Sequence, residues 1–217
     1  QAISSNPNFV DAHANLGAIL KANGQNEKAL ESIECALGLN PNLTAAINNK
    51  GVILETMGHL DEAVMCYQKC LDIKPENAEA LNNLGNVHMK RDELGYAVDK
   101  YKEALNINPN YSIALENMGF ALQRTGQLVE AAESLVKAVA ANPKNAESHN
   151  KLGAILLDMG ELDEAIKSFQ RAIILDSNNY TAAYNYLHVL LYSPSIDNNE
   201  LFDEYCRVVS PNCSEKK

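Results

Sequence analysis

Apolar and small residues along the chain fall on a helical period. Around residue 85, Leu81, Leu84, Gly85 and His88 lie at i, i+3, i+4 and i+7, one face of a helix of about fourteen residues. A polar break follows. Ala97, Tyr101, Ala104 and Leu105 then mark the buried face of a second helix. That helix is expected to end near Asn108, because Pro109 has no amide to continue it. Each such pair reads as a helix, a tight turn and a second helix lying back on the first.

The pair recurs with a period of 34 residues. Leu16-Gly17, Leu84-Gly85, Met118-Gly119 and Leu152-Gly153 fall one period apart or a multiple of it, and Lys50-Gly51 fills the missing slot. Ala29, Ala63, Ala97, Ala131 and Ala165 keep the spacing, as do Pro41, Pro75, Pro109 and Pro143. A fixed period of this length marks stacked supersecondary units that bury one continuous core. Small residues stand where paired helices approach closely, so Gly119 is expected to face Ala131 and Ala138. A surface of this kind presents contacts rather than enclosing a reaction, which argues against an enzyme within these residues.

These positions resemble the tetratricopeptide repeat: a large residue, Leu-Gly, Tyr or Leu, Gly, Ala, Tyr or Phe, Ala, then Pro. The match covers residues 10–177, as repeats over 10–43, 44–77, 78–111, 112–145 and 146–179. Residues 1–9 read as the tail of a preceding repeat, because Ala2 to Pro7 match Ala36 to Pro41, and the chain is expected to be a piece of a longer protein. Residues 180–217 read as a partial sixth repeat, a capping helix and a tail. The resemblance implies an all-α fold, a right-handed superhelical solenoid of helix-turn-helix repeats. Its departures are local: Lys50 replaces a Leu and is expected to lay its stem on the core. Arg91-Asp92 replaces the turn Gly, and Ser177 replaces a Pro.

The ending has its own pattern. After Pro194 a helix is expected, capped by Asp197 with Glu200 reaching back. Leu201, Phe202, Tyr205, Val208 and Val209 are expected to form one apolar stripe on the last repeat. Residues 185–207, NYLHVLLYSPSIDNNELFDEYCR, also resemble the junction in O-linked N-acetylglucosamine transferase-like proteins, where repeats hand over to the catalytic region. The positions that match are Asn185, Leu187, Leu190, Tyr192, Pro194, Glu200, Leu201, Phe202, Glu204, Tyr205 and Arg207. That resemblance implies a parent moving N-acetylglucosamine from a UDP-sugar to protein Ser or Thr. The other reading is a free-standing scaffold with no enzyme attached.

Candidate binding residues come from the first helix of each repeat, which lines the concave groove in the tetratricopeptide family. The sixth position reads Asn15, Asn49, Asn83, Asn117, Lys151 and Asn185. An amide both donates and accepts, so a row of them can hold extended polypeptide whatever its side chains. The same row can instead set the register of neighbouring repeats. Lys90 and Arg124 are candidates for acidic or carbonyl groups, and Val52, Ile113 and Phe120 for apolar contact. In chaperone-binding relatives a Lys precedes the Asn in a clamp on a C-terminal carboxylate. Here that position reads Ala14, Asn48, Asn82, Glu116, Asn150 and Tyr184, so the clamp is absent.

Charge and composition narrow the partners. The net charge of −10 is spread along the chain and speaks against nucleic acid or an anionic membrane. No apolar run approaches the ~18–20 residues that span a bilayer. Cys35, Cys66, Cys70, Cys206 and Cys213 are odd in number and lack CxxC spacing, which suits a reducing compartment, cytoplasmic or nuclear. Cys66 and Cys70 lack a third metal ligand, and Cys70 reads as a packed thiol. His13, His88 and His149 occupy packing slots. No cofactor is expected. The expected partners are extended segments of intracellular proteins, and nothing in the sequence sets an oligomeric state.

Overall fold

A computed structural model describes residues 7–192 and 197–209, although nothing is said below of the side chains of Pro7, Asn8, Asn198 and Val209. Among the described residues every regular element is an α-helix. The chain divides into two compact units, residues 1–109 and 110–217. The first contains α1 (Pro7–Ala22), α2 (Asn26–Leu39), α3 (Thr44–Thr56), α4 (Leu60–Ile73), α5 (Ala78–Lys90) and α6 (Leu94–Ile107). The second contains α7 (Ser112–Arg124), α8 (Leu128–Ala141), α9 (Ala146–Asp158), α10 (Leu162–Leu175), α11 (Tyr180–Leu190) and α12 (Asn198–Val209). Within each unit, consecutive odd and even helices pair, and each pair packs on the next.

The pairing follows from size. Gly51 lies against the Tyr67 ring, where an added Cβ would come within 2.5 Å of the ring edge; Gly153 meets Phe169 in the same way at 2.7 Å. Gly119 lies against Ala131 as expected, but its second neighbour is Leu135 rather than Ala138. Ala131 and Leu135 are one turn apart on α8, so the residue that faces Gly119 is i+4 and not i+7. Ala29, Ala63, Ala97, Ala131 and Ala165 are all fully buried. So are Ala36, Cys70, Ala104, Ala138 and Ala172, two turns further along the same helices.

Helix ends are set by local chemistry. Asn40, Lys74 and Asn108 leave their helices in extended conformation directly before a proline, the region a pre-proline residue prefers. Asp176 adopts the same geometry before Ser177, so the missing proline costs nothing visible in the backbone. Asn77, Asn145 and Asn179 cap the following helices through their side-chain oxygens. The turns between paired helices need a left-handed residue: Gly24, Gly58, Gly126 and Gly160 have φ between +72° and +85°. In the third repeat Asp92 takes that role at φ +63°, a conformation Asp tolerates better than most side chains.

The terminal helix corrects one expectation. Asp197 caps it, accepting from the Asn199 and Glu200 amides at 2.7 and 2.8 Å, and Glu200 reaches back to the Asp197 amide at 3.2 Å. Among the described side chains of the stripe, however, it is Leu201 and Val208 that are partly buried against the core of Ala165, Phe169, Tyr186, Val189 and Leu190. Phe202 is 64% exposed and Tyr205 50%. On a helical wheel Leu201 and Val208 nearly superpose, whereas Phe202 is turned by about 100° and faces solvent. The Val209 side chain lies outside the described residues, as do Ala2, Pro194 and Cys213.

Candidate functional site

The asparagine register resolves into distinct environments. Asn15 is exposed on α1. Asn49, half-buried on α3, accepts from the Lys21 amine of α1 at 3.1 Å. Asn83 on α5 is only 8% exposed. Its Nδ2 donates to Asn48 Oδ1 at 3.0 Å, and its Oδ1 accepts from Asn82 Nδ2 at 3.4 Å. Asn48 in turn donates to Glu79 Oε1 at 2.8 Å. Asn83 therefore does not face water: its nitrogen bonds the preceding first-type helix and its oxygen bonds its own neighbour on α5.

The second unit repeats the contact. Asn185 on α11 donates to Asn150 Oδ1 of α9 at 3.1 Å. Between α7 and α9 the same slot holds charge instead: Lys151 Nζ lies 3.3 Å from Glu116 Oε2, and Asn145 Nδ2 and Ser148 Oγ both donate to Glu116 Oε1 at 2.8 and 2.6 Å. Glu116 is 7% exposed, so these three donors replace its water shell. Each pair joins residues 35 apart: Asn48 with Asn83, Glu116 with Lys151, Asn150 with Asn185. Sequence reasoning missed this partner position. Its signal was present, because where the row changes from Asn to Lys, at 151, the residue 35 earlier changes from Asn to Glu.

The other candidates divide likewise. Lys90 forms an ion pair with Glu55 at 2.8 Å, and Glu55 also accepts from the Tyr67 hydroxyl at 2.8 Å. Burial and the Glu55 charge push the Tyr67 phenol well above its ordinary range, so it stays a donor. Phe120 and Arg124 lie exposed on α7, and Asn117 is half-buried there. Lys50 meets Glu34 at 2.8 Å with its stem half-buried, as expected. His88 bonds Glu93 at 2.6 Å and packs on Tyr96, and His149 reaches the Pro143 carbonyl at 3.1 Å. The Cys70 thiol is fully buried and donates to the Thr44 carbonyl at 3.4 Å. Burial, and then the neighbouring Cys66, push it up to about 11. Among the described residues no three His, Cys, Asp or Glu side chains converge to hold a metal ion. No described helix is long and apolar enough to cross a membrane.

Comparison with known proteins bears on the repeats and the fold. Two tetratricopeptide-repeat models match residues 146–179 and 1–31, and the model of the middle TPR-like domain of cilia and flagella-associated protein 70 matches residues 53–143. No curated protein matches. Among solved structures, PilF of Pseudomonas aeruginosa is 20% identical with a TM-score of 0.80, covering 95% of this chain and 94% of PilF. TTC0263, a thermophilic TPR protein of Thermus thermophilus, is 23% identical with a TM-score of 0.70, covering 84% and 99%. YrrB, described as a TPR protein with an unusual peptide-binding site, is 22% identical with a TM-score of 0.60, covering 84% and 94%. The fold is that of helix-turn-helix repeat proteins. Residues 1–31 and 146–179 match tetratricopeptide repeats, and the fold is shared with solved repeat proteins.

Proposed function

We propose that the chain holds extended segments of other proteins along the uncovered faces of its first-type helices. One observation carries the reading: Asn49 is only half-buried, on a row in which Asn83 and Asn185 already pair amide with amide. A face that forms such bonds internally offers the same donors and acceptors to a passing peptide backbone. Asn117 and Asn185, with Phe120 and Arg124, extend the same chemistry in the second unit, and Lys90 adds a cation that a ligand carboxylate would share with Glu55. Asn83 serves as a strut in this reading. The fold shared with YrrB, described as having a peptide-binding site, is compatible with it.

The test is to titrate unstructured peptides into protein labelled with 15N and follow the side-chain amide signals. Binding along the row shifts Asn15, Asn49, Asn117 and Asn185 and leaves Asn83 nearly still. Shifts confined to the even-numbered helices would overturn the reading.

A narrower version makes the chain the substrate-recognition arm of an O-linked N-acetylglucosamine transferase-like protein. Its support is the residue pattern over 185–207 together with the capped helix α12. A scaffold with no enzyme attached accounts for the repeats equally well. Sequence following Lys217 in the parent separates them, through nucleotide-sugar-binding α/β units in one case and their absence in the other. In either case calorimetry of these residues with UDP-N-acetylglucosamine is expected to show no binding tighter than about 100 µM, roughly 5.5 kcal/mol.

A further inference from the structure

The C-terminal ends of α4 and α6, second-type helices of neighbouring repeats, border an open groove of about 370 Å³ that lies wholly within the first unit. Its apolar lining is Leu71 of α4, Pro75, Leu81 of α5 and Ile107 of α6. Three carboxylates line it too, each from a different element: Asp72 from α4, Glu76 from the turn before α5 and Glu103 from α6. Among the described residues no lysine, arginine or histidine lines the groove. The last turns of α4 and α6 hold no basic residue either, so the negative ends of both helices add to the same field. Lys74, which follows α4, stays outside the lining.

The fold does not use these charges to join its elements. Asp72 accepts from Gln68 at 3.1 Å and Glu103 from Lys100 at 2.8 Å, each through one oxygen and each within its own helix. Glu76 has no partner among the described residues, and it is Asn77 that caps α5. The repeat supplies its own comparison. One period from Asp72 stand Gly38 and Asn106, from Glu76 Asn42 and Asn110, and from Glu103 Lys69 and Lys137. The packing of the repeat thus accepts neutral or cationic residues at all three positions. Here all three are acidic, around an apolar lining, with no cation between the helices to offset them.

We propose that this groove takes lysine side chains from a lysine-rich segment of a partner protein, with the stem on Leu71, Leu81 and Ile107 and the ammonium towards Asp72, Glu76 and Glu103. The argument is complementarity in both halves of the side chain. A lysine stem is aliphatic and lies down on apolar surface, while its head offers three N–H donors and no acceptor. The three carboxylates do not converge to hold a bare metal ion, so a cation that brings its own apolar contact fits better. The same charges repel nucleic acid and anionic lipid.

The proposal is independent of the asparagine row, and Asn15→Ala and Asn49→Ala are expected to leave it intact. Its test is fluorescence anisotropy with a labelled peptide that alternates Lys with Ser and Gly. Two controls replace Lys by Nε-acetyl-lysine, which keeps the stem without the charge, or by diaminobutyrate, which keeps the charge on a shorter stem. The Lys peptide is expected to bind saturably, the acetylated one about tenfold or more weaker and the short-stem one about threefold or more weaker. Asp72→Asn, Glu76→Gln and Glu103→Gln together should weaken the Lys peptide about tenfold or more, with a melt no lower than wild type. Neutralising exposed Glu31, Asp99 and Glu133 instead should change binding less than about twofold. Equal weakening by the two triple variants would mean attraction to the net charge of −10 alone, and overturns the proposal. No binding of the Lys peptide, or equal binding of either control peptide, overturns it too. Should the triple groove variant melt low, Glu76→Gln alone decides: binding about threefold weaker at a wild-type melt supports the groove, and unchanged binding overturns it.

Discussion

Between α3 and α5 the contact of neighbouring first-type helices is two amides, Asn48 and Asn83; between α7 and α9 it is a carboxylate and an amine, Glu116 and Lys151. Both fill one slot of the repeat, and both bury their first member almost completely. The amide pair is neutral, and one bond each to Glu79 and from Asn82 completes it. The charged pair must recruit Asn145 and Ser148 as well, because a buried carboxylate is costly until its lone pairs are met. The asparagine register is thus a joint between repeats first, and on the proposed reading it binds peptide only where no neighbour occupies it.

Removing the charged member should have the largest effect. Glu116→Ala strips the partner from Lys151, Ser148 and Asn145 at once, and is expected to cost roughly 2–4 kcal/mol in a denaturant melt. A loss below about 0.5 kcal/mol would show that solvent replaces these bonds freely and that the slot is no joint. Lys151→Asn alone should cost roughly 1–3 kcal/mol, since Glu116 keeps its charge without its cation. Adding Glu116→Asn recreates the amide pair, so the double variant should recover at least about 0.5 kcal/mol relative to the sum of the singles. Strict additivity in that cycle would break the equivalence of the two pairs.

A smaller effect separates a strained turn from a tolerant one. Gly160→Ala forces a Cβ into a left-handed residue at φ +82° and is expected to cost about 1 kcal/mol. Equal tolerance at Gly160 and at an exposed helical position would contradict the assigned backbone. The smallest effect is on pH. The buried Cys70 thiol is pushed up to about 11 from 9.0, so the unfolded chain loses this proton first. Its stabilising contribution is complete below pH 9 and declines as pH rises towards 11. At pH 8 a thiol reagent should label exposed Cys35 promptly and Cys70 only on unfolding. Comparable labelling rates would place Cys70 outside the core.

Much of the fold was legible because its determinants are local and periodic. The buried Ala series follows from size at a fixed spacing, and Asp197 with Glu200 from capping chemistry, whereas the ring that Gly51 meets, Tyr67, does not follow from small residues facing small ones. The candidate site was legible only as a register. A period of 34 residues places Asn15 and Asn83 at the same angle on their helices, but it does not say what the preceding repeat offers to each. Asn83 meets Asn48, while the equivalent residue before Asn49 is Ala14, which has no polar side chain. Tyr184, Leu187 and His188 of α11 look like packing residues in sequence, and only the arrangement of the helices shows that they line a cavity with Leu201 and Tyr205 of α12.

If one row of asparagines does two jobs, paired measurements on Asn83→Ala and Asn15→Ala separate them. Asn83→Ala leaves the Asn48 oxygen without its donor and is expected to destabilise the fold by roughly 1–3 kcal/mol. Asn15→Ala should stay within about 0.5 kcal/mol of wild type in the melt, yet weaken binding of an unstructured peptide by about 0.5–1.5 kcal/mol. Contradiction takes a clear form: an Asn83→Ala protein that melts like wild type, or an Asn15→Ala protein that binds peptide as tightly.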